Sequence, residues 1–173
     1  MNLDSVIRKV PDFPKPGILF YDVTSVFMNP QALEFTTKRM LEEFGEDKID
    51  AVIAIESRGF IMASIFAKEK KVPMILARKK GKLPGATIEE SYELEYGKAT
   101  LEIHKADIES GKKYLIIDDL VATGGTIEAV AKMVEKSGSA VAGIFSIIAL
   151  PFLGFDKKIG KYRTVVLQEY HGE

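Results

Sequence analysis

The chain has no cysteine in its 173 residues. That excludes disulfides, thiol catalysis and thiolate metal sites, although it does not fix the cellular compartment. Histidine is nearly as scarce. His104 and His171 stand without a partner at metal-ligand spacing and without a serine or cysteine constellation nearby, so both read as structural or solvent-exposed. Neither charge sign dominates: 24 basic residues meet 25 acidic ones. A broad electrostatic footprint for nucleic acid is therefore missing. No apolar run approaches the ~20 residues that span a bilayer, and Met1 to Val10 is too charged and mixed for a signal segment. These absences predict a soluble, cytoplasmic protein with neither membrane nor nucleic acid as partner. What is present is a length suited to one domain, residues 1–173, and 46% hydrophobic content to build its core.

Along the chain, Leu3, Val6, Ile7 and Val10 recur at helical spacing, which predicts a first helix ended by Pro11. The segment PDFPKPG (11–17) cannot be regular, and ILFYDV (18–23) reads as a strand-like arm. Asn29-Pro30 is a cap followed by a first-turn proline. It opens a helix with Leu33, Thr37, Met40, Leu41 and Phe44 on one face, stopped at Gly45. From Asp50 near-continuous apolar runs appear at 50–56, 72–78, 113–118 and 140–150, with a fifth strand at 163–168. A helical stretch follows the first run as far as Lys70. Ile127, Val130, Ala131 and Val134 mark another helix, closed by Gly138. Buried strands alternating with helices predict an α/β fold with a doubly wound, mainly parallel sheet flanked by helices. The first ~28 residues form a small hood in this reading, and about 79–112 a flexible flap with some hairpin character.

The most informative segment is LIIDDLVATGGT (115–126). A buried strand ends in two adjacent carboxylates, Asp118 and Asp119, and a loop with two glycines and two threonines then opens a helix. In open α/β sheets ligands bind at the carboxyl ends of strands, and helix N-termini favour phosphate. Gly124 and Gly125 let backbone N–H groups approach phosphate oxygens as an anion nest, and Thr123 and Thr126 add hydroxyl donors. The two acids sit where they could accept hydrogen bonds from a ribose diol. Phosphate cradle and diol reader together describe a ribose 5-phosphate. A Walker loop would need a lysine after the glycines, and a dinucleotide fingerprint would need GxGxxG; neither is present. A receiver domain would carry its acids at the first strand, with no glycine-rich loop after them.

This segment resembles the signature for 5-phosphoribosyl 1-pyrophosphate (PRPP) of type I phosphoribosyltransferases. DFPKPGILFYDVT (12–24), ESRGF (56–60), RKKGKLPG (78–85) and SYELEYGKATLEIH (91–104) extend the resemblance to the family's adenine-specific branch, in its order and spacing and over nearly the whole chain. It implies 5′-phosphate binding by Ala122, Thr123, Gly124, Gly125 and Thr126, and ribose binding by Asp118 and Asp119. Ser57, Arg58 and Gly59 fall at the pyrophosphate turn, where the family often has a cis peptide, here Glu56–Ser57. Arg58 suits that task because a guanidinium pairs bidentately with phosphate. Arg78 is implied to reach the partner subunit's pyrophosphate site, hence a homodimer. On the flap, Glu95 is the candidate for handling a proton at purine N7, with Tyr96 beside it. Leu19 and Tyr21 map onto backbone positions that grip adenine, with Phe20 and Leu120 on the faces of the ring. Tyr21 stands where many members carry arginine.

The implied reaction joins adenine to PRPP, giving AMP and pyrophosphate with Mg²⁺ through an oxocarbenium-like state. Mg²⁺ would be held mainly by substrate and water. Two other readings were weighed. A 6-oxopurine enzyme would place a lysine near the strand after the PRPP helix, and residues 140–155 contain neither Lys nor Arg. A PRPP-sensing nucleic-acid-binding regulator would need a basic face or a further domain.

Overall fold

The computed structural model describes residues 1–93 and 97–172. A 3₁₀ turn at Leu3–Ser5 leads into β1 (Arg8–Pro11), which pairs antiparallel with β2 (Leu19–Asp22). The helix predicted for the first ten residues is therefore replaced by a turn and a strand. Leu3 and Ile7 are buried as the spacing required, but the backbone of residues 8–11 finds its partners in the returning arm 19–22. That long-range ribbon overrides a local period of only about two turns. A short α1 (Thr24–Met28) follows, then α2 (Pro30–Phe44), capped by the Asn29 side chain accepting from Ala32 N–H at 3.0 Å. The buried line of α2 is Ala32, Thr36, Met40 and Phe44, which keeps Met40 and Phe44 of the predicted face, with Leu33, Thr37 and Leu41 half-buried on its flank.

The sheet begins with β3 (Ala51–Ile55), followed by α3 (Gly59–Lys70) and β4 (Met74–Lys79). A hairpin, β5 (Thr87–Glu93) and β6 (Lys98–His104), precedes β7 (Lys113–Ile117), the short β8 (Leu120–Val121) and α4 (Gly125–Lys136). Then come β9 (Ala140–Ala149), the single-turn α5 (Asp156–Ile159) and β10 (Thr164–Glu169). The strand order is β10-β9-β7-β3-β4-β6-β5, with β8 also on β9. All pairings from β10 to β4 are parallel, and β6 and β5 add antiparallel. The flap stem is thus not a loop over the sheet but its continuation. β4 is covered less fully than its apolar run implied, since Met74 and Lys79 are exposed at its ends.

Two cores lie on the two faces, separated by the period-2 alternation of the strands. Ile53, Ile55 and Ile116 point with Ile127, Val130 and Val134 of α4 into one. Val52, Ala54, Leu115 and Ile117 point with Met40, Phe44, Met62 and Phe66 of α2 and α3 into the other. Right-handed crossovers require this division, because β3–α3–β4 and β7–α4–β9 leave the adjacent strands β3 and β7 in opposite directions. The switch point between β3 and β7 is where such sheets bind ligands.

The hood is fastened to the far edge of the sheet. Tyr21 is buried, and its ring stacks on Tyr170 just beyond β10, with centroids 3.7 Å apart and planes 15° apart. Tyr170 N–H donates to Ala149 C=O at 3.0 Å, which fixes the ring's position. A stacked aromatic pair contributes about 0.5–1.5 kcal/mol beyond area burial. Tyr170→Leu should therefore lower Tm by about 2–5 °C in a thermal melt. An unchanged Tm would mean that the stack does not hold the hood.

Candidate active site

The two turns at the switch point carry the predicted residues together. The β3–α3 turn holds Ser57, Arg58 and Gly59, and the peptide Glu56–Ser57 is cis, as the resemblance implied. The β7–α4 turn holds Asp118, Asp119 and Ala122–Thr126. They meet through Arg58, whose Nε donates to Asp119 Oδ2 at 2.6 Å. Gly59 is required where it stands: a Cβ there would lie 2.8 Å from Ile117 C=O and 3.1 Å from Asp118 Cα, both backbone. The close approach of α3 to β7 brings Arg58 within reach of Asp119.

Both acids are buried, at 5% and 6% exposure. Asp118 Oδ1 accepts from Asp119 N–H at 2.9 Å, while Asp119 C=O accepts from Ile147 and Ile148 N–H. Burial, and then the neighbouring charge of Asp119, hold the Asp118 carboxyl well above the ordinary Asp range. The Asp119 N–H and the Arg58 charge oppose that rise without cancelling it. Asp118 is thus a carboxyl whose charge is suppressed, beside a second one matched by a guanidinium.

Past the acids, Gly124 takes φ +75° as the residue before α4, a conformation that favours glycine. A side chain at Gly124 would also press on Phe155, whose Cβ would be 3.2 Å away. No side chain caps α4, in contrast to α2, and the Thr123 and Thr126 hydroxyls make no hydrogen bond among the described residues. The first turn of α4 thus offers unused donors and a positive dipole end.

Arg78 has a partner within its own chain: Nε donates to Glu56 Oε2 at 3.0 Å, and Lys79 N–H donates to the same oxygen. The basic stretch that follows is shaped by the buried Glu102, which accepts from the N–H groups of Lys82 and Leu83 at 2.8 and 2.7 Å. Glu95 and Tyr96 lie outside the described residues. In the hood, Leu19 and Leu120 are half-buried against the same apolar cluster, but Phe20 meets Phe13 edge to face at 5.0 Å, and the Tyr21 ring is turned into the core. Phe20, expected on one face of the ring, thus stands against Phe13, while Leu120, expected on the other, lies in the apolar cluster. What remains for Leu19 and Tyr21 is backbone, and Pro11 decides its direction. Proline has no N–H, so Pro11 and Leu19 cannot exchange two ladder bonds, which leaves Val10/Phe20 as the closed pair; Arg8 N–H donates to Ser25 Oγ, which in turn donates to Asp22 C=O. The N–H and C=O of Leu19 and Tyr21 consequently face the open edge of the two-stranded ribbon.

One residue at this site was not signalled by the sequence. Tyr92, on β5, is half-buried, and its ring lies 3.3 Å from where a Cβ of Gly125 would be. Burial, followed by the charges of Asp118 and Glu56, raises its phenol above the ordinary range. Strand alternation alone could not show that β5 docks on α4. Among the described residues no cluster of three or more His, Cys, Asp or Glu can hold a metal ion by itself. Two adjacent carboxylates beside phosphate donors fit instead a divalent cation carried by substrate oxygens.

The family model of the phosphoribosyl transferase domain matches residues 23–168. The chain is 48% identical to the adenine phosphoribosyltransferase of Treponema denticola over 171 residues, 99% of this chain and 90% of that one. It is similar to the crystal structure of adenine phosphoribosyltransferase from Thermoanaerobacter pseudethanolicus, with TM-score 0.91, 40% identity and coverage of 96% and 97%. The Saccharomyces cerevisiae adenine phosphoribosyltransferase, solved with adenine and D-2,5-dideoxy-2,5-imino-altritol 1,6-bisphosphate, matches with TM-score 0.88, 36% identity and coverage of 96% of both chains.

The raised Asp118 sets a sign for stability against pH. The native state keeps this proton above the unfolded value of 3.8, so stability falls as pH rises from there toward the native pKa. Asp118→Asn keeps the acceptor for Asp119 N–H and removes the titration. The Tm of the variant relative to wild type should therefore climb with pH across a series from about pH 4 to 9. Parallel curves would show that Asp118 carries its charge in the fold.

Proposed function

The chain belongs to the phosphoribosyl transferase family and, within it, is an adenine phosphoribosyltransferase of purine salvage; from that premise we propose how its residues divide the reaction. PRPP lies across the carboxyl ends of β3 and β7. Its 5′-phosphate rests on Ala122, Thr123, Gly124, Gly125 and Thr126, and its ribose hydroxyls on Asp118 and Asp119. Its pyrophosphate rests on Ser57, Arg58 and Gly59. The observation that carries this assignment is the 2.6 Å Arg58–Asp119 pair, which puts the guanidinium and the diol acids side by side at the switch point.

As the bond from the anomeric carbon to pyrophosphate lengthens, positive charge grows on the sugar and negative charge on the leaving group. Arg58 is 44% exposed, so its guanidinium can reach phosphate oxygens from the solvent side while its Nε keeps the buried Asp119. Asp118 and Asp119 would take a substrate-carried Mg²⁺ through water, and the ion would supply further neutralisation of the leaving group when bound. N9 of adenine attacks the sugar and gives AMP. Adenine is held by the open-edge backbone of Leu19 and Tyr21, with Leu120 and Phe20 as apolar contacts. Glu95 manages the proton at N7, and Tyr96 helps to exclude water from the closed flap.

A homodimer, with Arg78 turned toward the partner's pyrophosphate, follows from the resemblance and from the guanidinium's partial exposure. Sedimentation at the 19.2 kDa monomer mass would remove that part. No helix among the described residues is long and apolar enough to cross a membrane, and a cytoplasmic site of action is part of this proposal.

Pyrophosphate release with Mg²⁺, PRPP and each of adenine, hypoxanthine, guanine and xanthine should be rapid with adenine alone. Release with a 6-oxopurine instead would overturn the base pocket while keeping the PRPP site. Glu95→Gln should lower kcat by about 10²-fold, with the KM for PRPP nearly unchanged. A kcat close to wild type would remove Glu95 from the mechanism.

A further inference from the structure

The 5′-phosphate loop carries no cation of its own. The chain delivers one from a distance: a side-chain carbon on Gly125 would lie 3.6 Å from the Nζ of Lys158 on α5. Lys158 is half-buried, whereas its neighbour Lys157 is exposed. Lys158 lines a cavity of about 300 Å³ whose walls include Tyr92, Glu93, Lys98 and Lys132. Glu128, in the same wall, is already matched by Lys132 at 2.7 Å. Within 4.0 Å, Lys158 has no carboxylate among the described residues. Its position follows from packing: Phe155 and Ile159 bury their side chains in the core beside α4, which turns the ammonium at 158 toward the start of that helix.

We propose that Lys158 is the phosphate-neutralising residue of the 122–126 loop, and that it makes the site selective for a ribose bearing a 5′-phosphate. A phosphate monoester is close to a dianion at neutral pH, with a second pKa near 6. The first turn of a helix supplies only about half an elementary charge. Backbone amides and the Thr123 and Thr126 hydroxyls give direction without a full countercharge. An ammonium beside Gly125 supplies it. Tyr92 and the Glu93 carbonyl lie against the same glycine, with the carbonyl 3.5 Å from that carbon position. The docked β5 therefore shields the ammonium from water and lengthens the reach of its field.

The inference rests on the reading of 122–126 as the phosphate loop, so the test separates the two. AMP and adenine binding to the full chain are measured by calorimetry for wild type and for Lys158→Met, Lys158→Arg, Lys157→Met and Thr123→Val, with thermal melts as a check on folding. Lys158→Met should weaken AMP about tenfold, with adenine unchanged. Lys158→Arg should restore most of the loss, and Lys157→Met should lose less than about twofold. The Lys158→Met deficit should shrink between about 20 mM and 0.5 M KCl, as a screened charge requires. If Thr123→Val weakens AMP while Lys158→Met behaves like Lys157→Met, the role of Lys158 is overturned and the loop reading stands. If Thr123→Val leaves AMP binding intact, the loop is not the phosphate site and both readings fall.

Discussion

The ion pair between Arg58 and Asp119 joins the two turns on which the site is built. Each turn opens a different crossover, and the crossovers run to opposite faces of the sheet, so nothing local in sequence brings them together. Parallel pairing of β3 with β7 sets the two strand ends level, and Gly59 lets α3 start against the β7 backbone. The guanidinium then has one acid to meet. With Asp119 at 8% and Arg58 at 44% side-chain exposure, the pair is half in water. Its worth to stability is correspondingly modest, because solvent screens it. Its consequence for chemistry is larger: a buried acid has a cation at 2.6 Å whose other nitrogens stay within reach of solvent. The adjacent Asp118 lacks such a partner, and burial suppresses its charge. The two acids thus differ in surroundings despite adjacent positions.

A second constraint comes from the hairpin. β6 continues the sheet from β4, and β5 lies over α4 through Tyr92 at Gly125 and an ion pair from Lys136 to Glu90. The stem of the flap is thereby tied to the helix whose first turn is proposed to receive phosphate. Glu102 and Glu56 fix its root by accepting backbone N–H groups of residues 79, 82 and 83. A carboxylate taking backbone donors where no ladder continues resolves groups that would otherwise be unsatisfied. The Glu102 carboxyl is held below the usual range, with the Leu83 N–H as the largest cause.

The parallel core was legible because buried parallel strands have an unambiguous texture. Residues 51–55 and 114–117 are apolar throughout, and Asn29-Pro30 and the Gly124-Gly125 pair punctuate helices by local chemistry. The acids and the loop were legible for the same reason, since strand, turn and helix start lie within twelve residues. What the sequence concealed is all non-local. The period of Leu3, Val6 and Ile7 suits a helix, yet a ribbon with residues 19–22 took the segment. On α2, Met40 and Phe44 are buried as the period required, but Ala32 and Thr36 take the buried places expected for Leu33 and Thr37. Tyr21 looked like a replaced ligand in the hood, but Tyr170, at the other end of the chain, gives its ring a different role. Tyr92 and Lys158 reach the loop only through the docking of β5 and of a four-residue helix, which no periodicity foretells.

The distribution of cations divides the site into two ends with different chemistry. At the proposed phosphate end stand Arg58, Arg78 and Lys158, each arriving from a different element. At the proposed base end, the strand from 140 and the loop up to 155 contain no cation, and Leu19 and Leu120 supply apolar surface. A ring that offers an exocyclic oxygen there would lose its water without gaining a charged donor, at a cost of about 1–3 kcal/mol. A ring with an exocyclic amine needs acceptors instead, and the outward C=O groups of Leu19 and Tyr21 are acceptors. Because that edge is backbone, its pattern is set by the ladder register and by the missing N–H of Pro11, not by the side chain at 21. Substituting tyrosine for arginine there leaves the recognition edge in place, and the freed side chain serves to hold the hood that carries it.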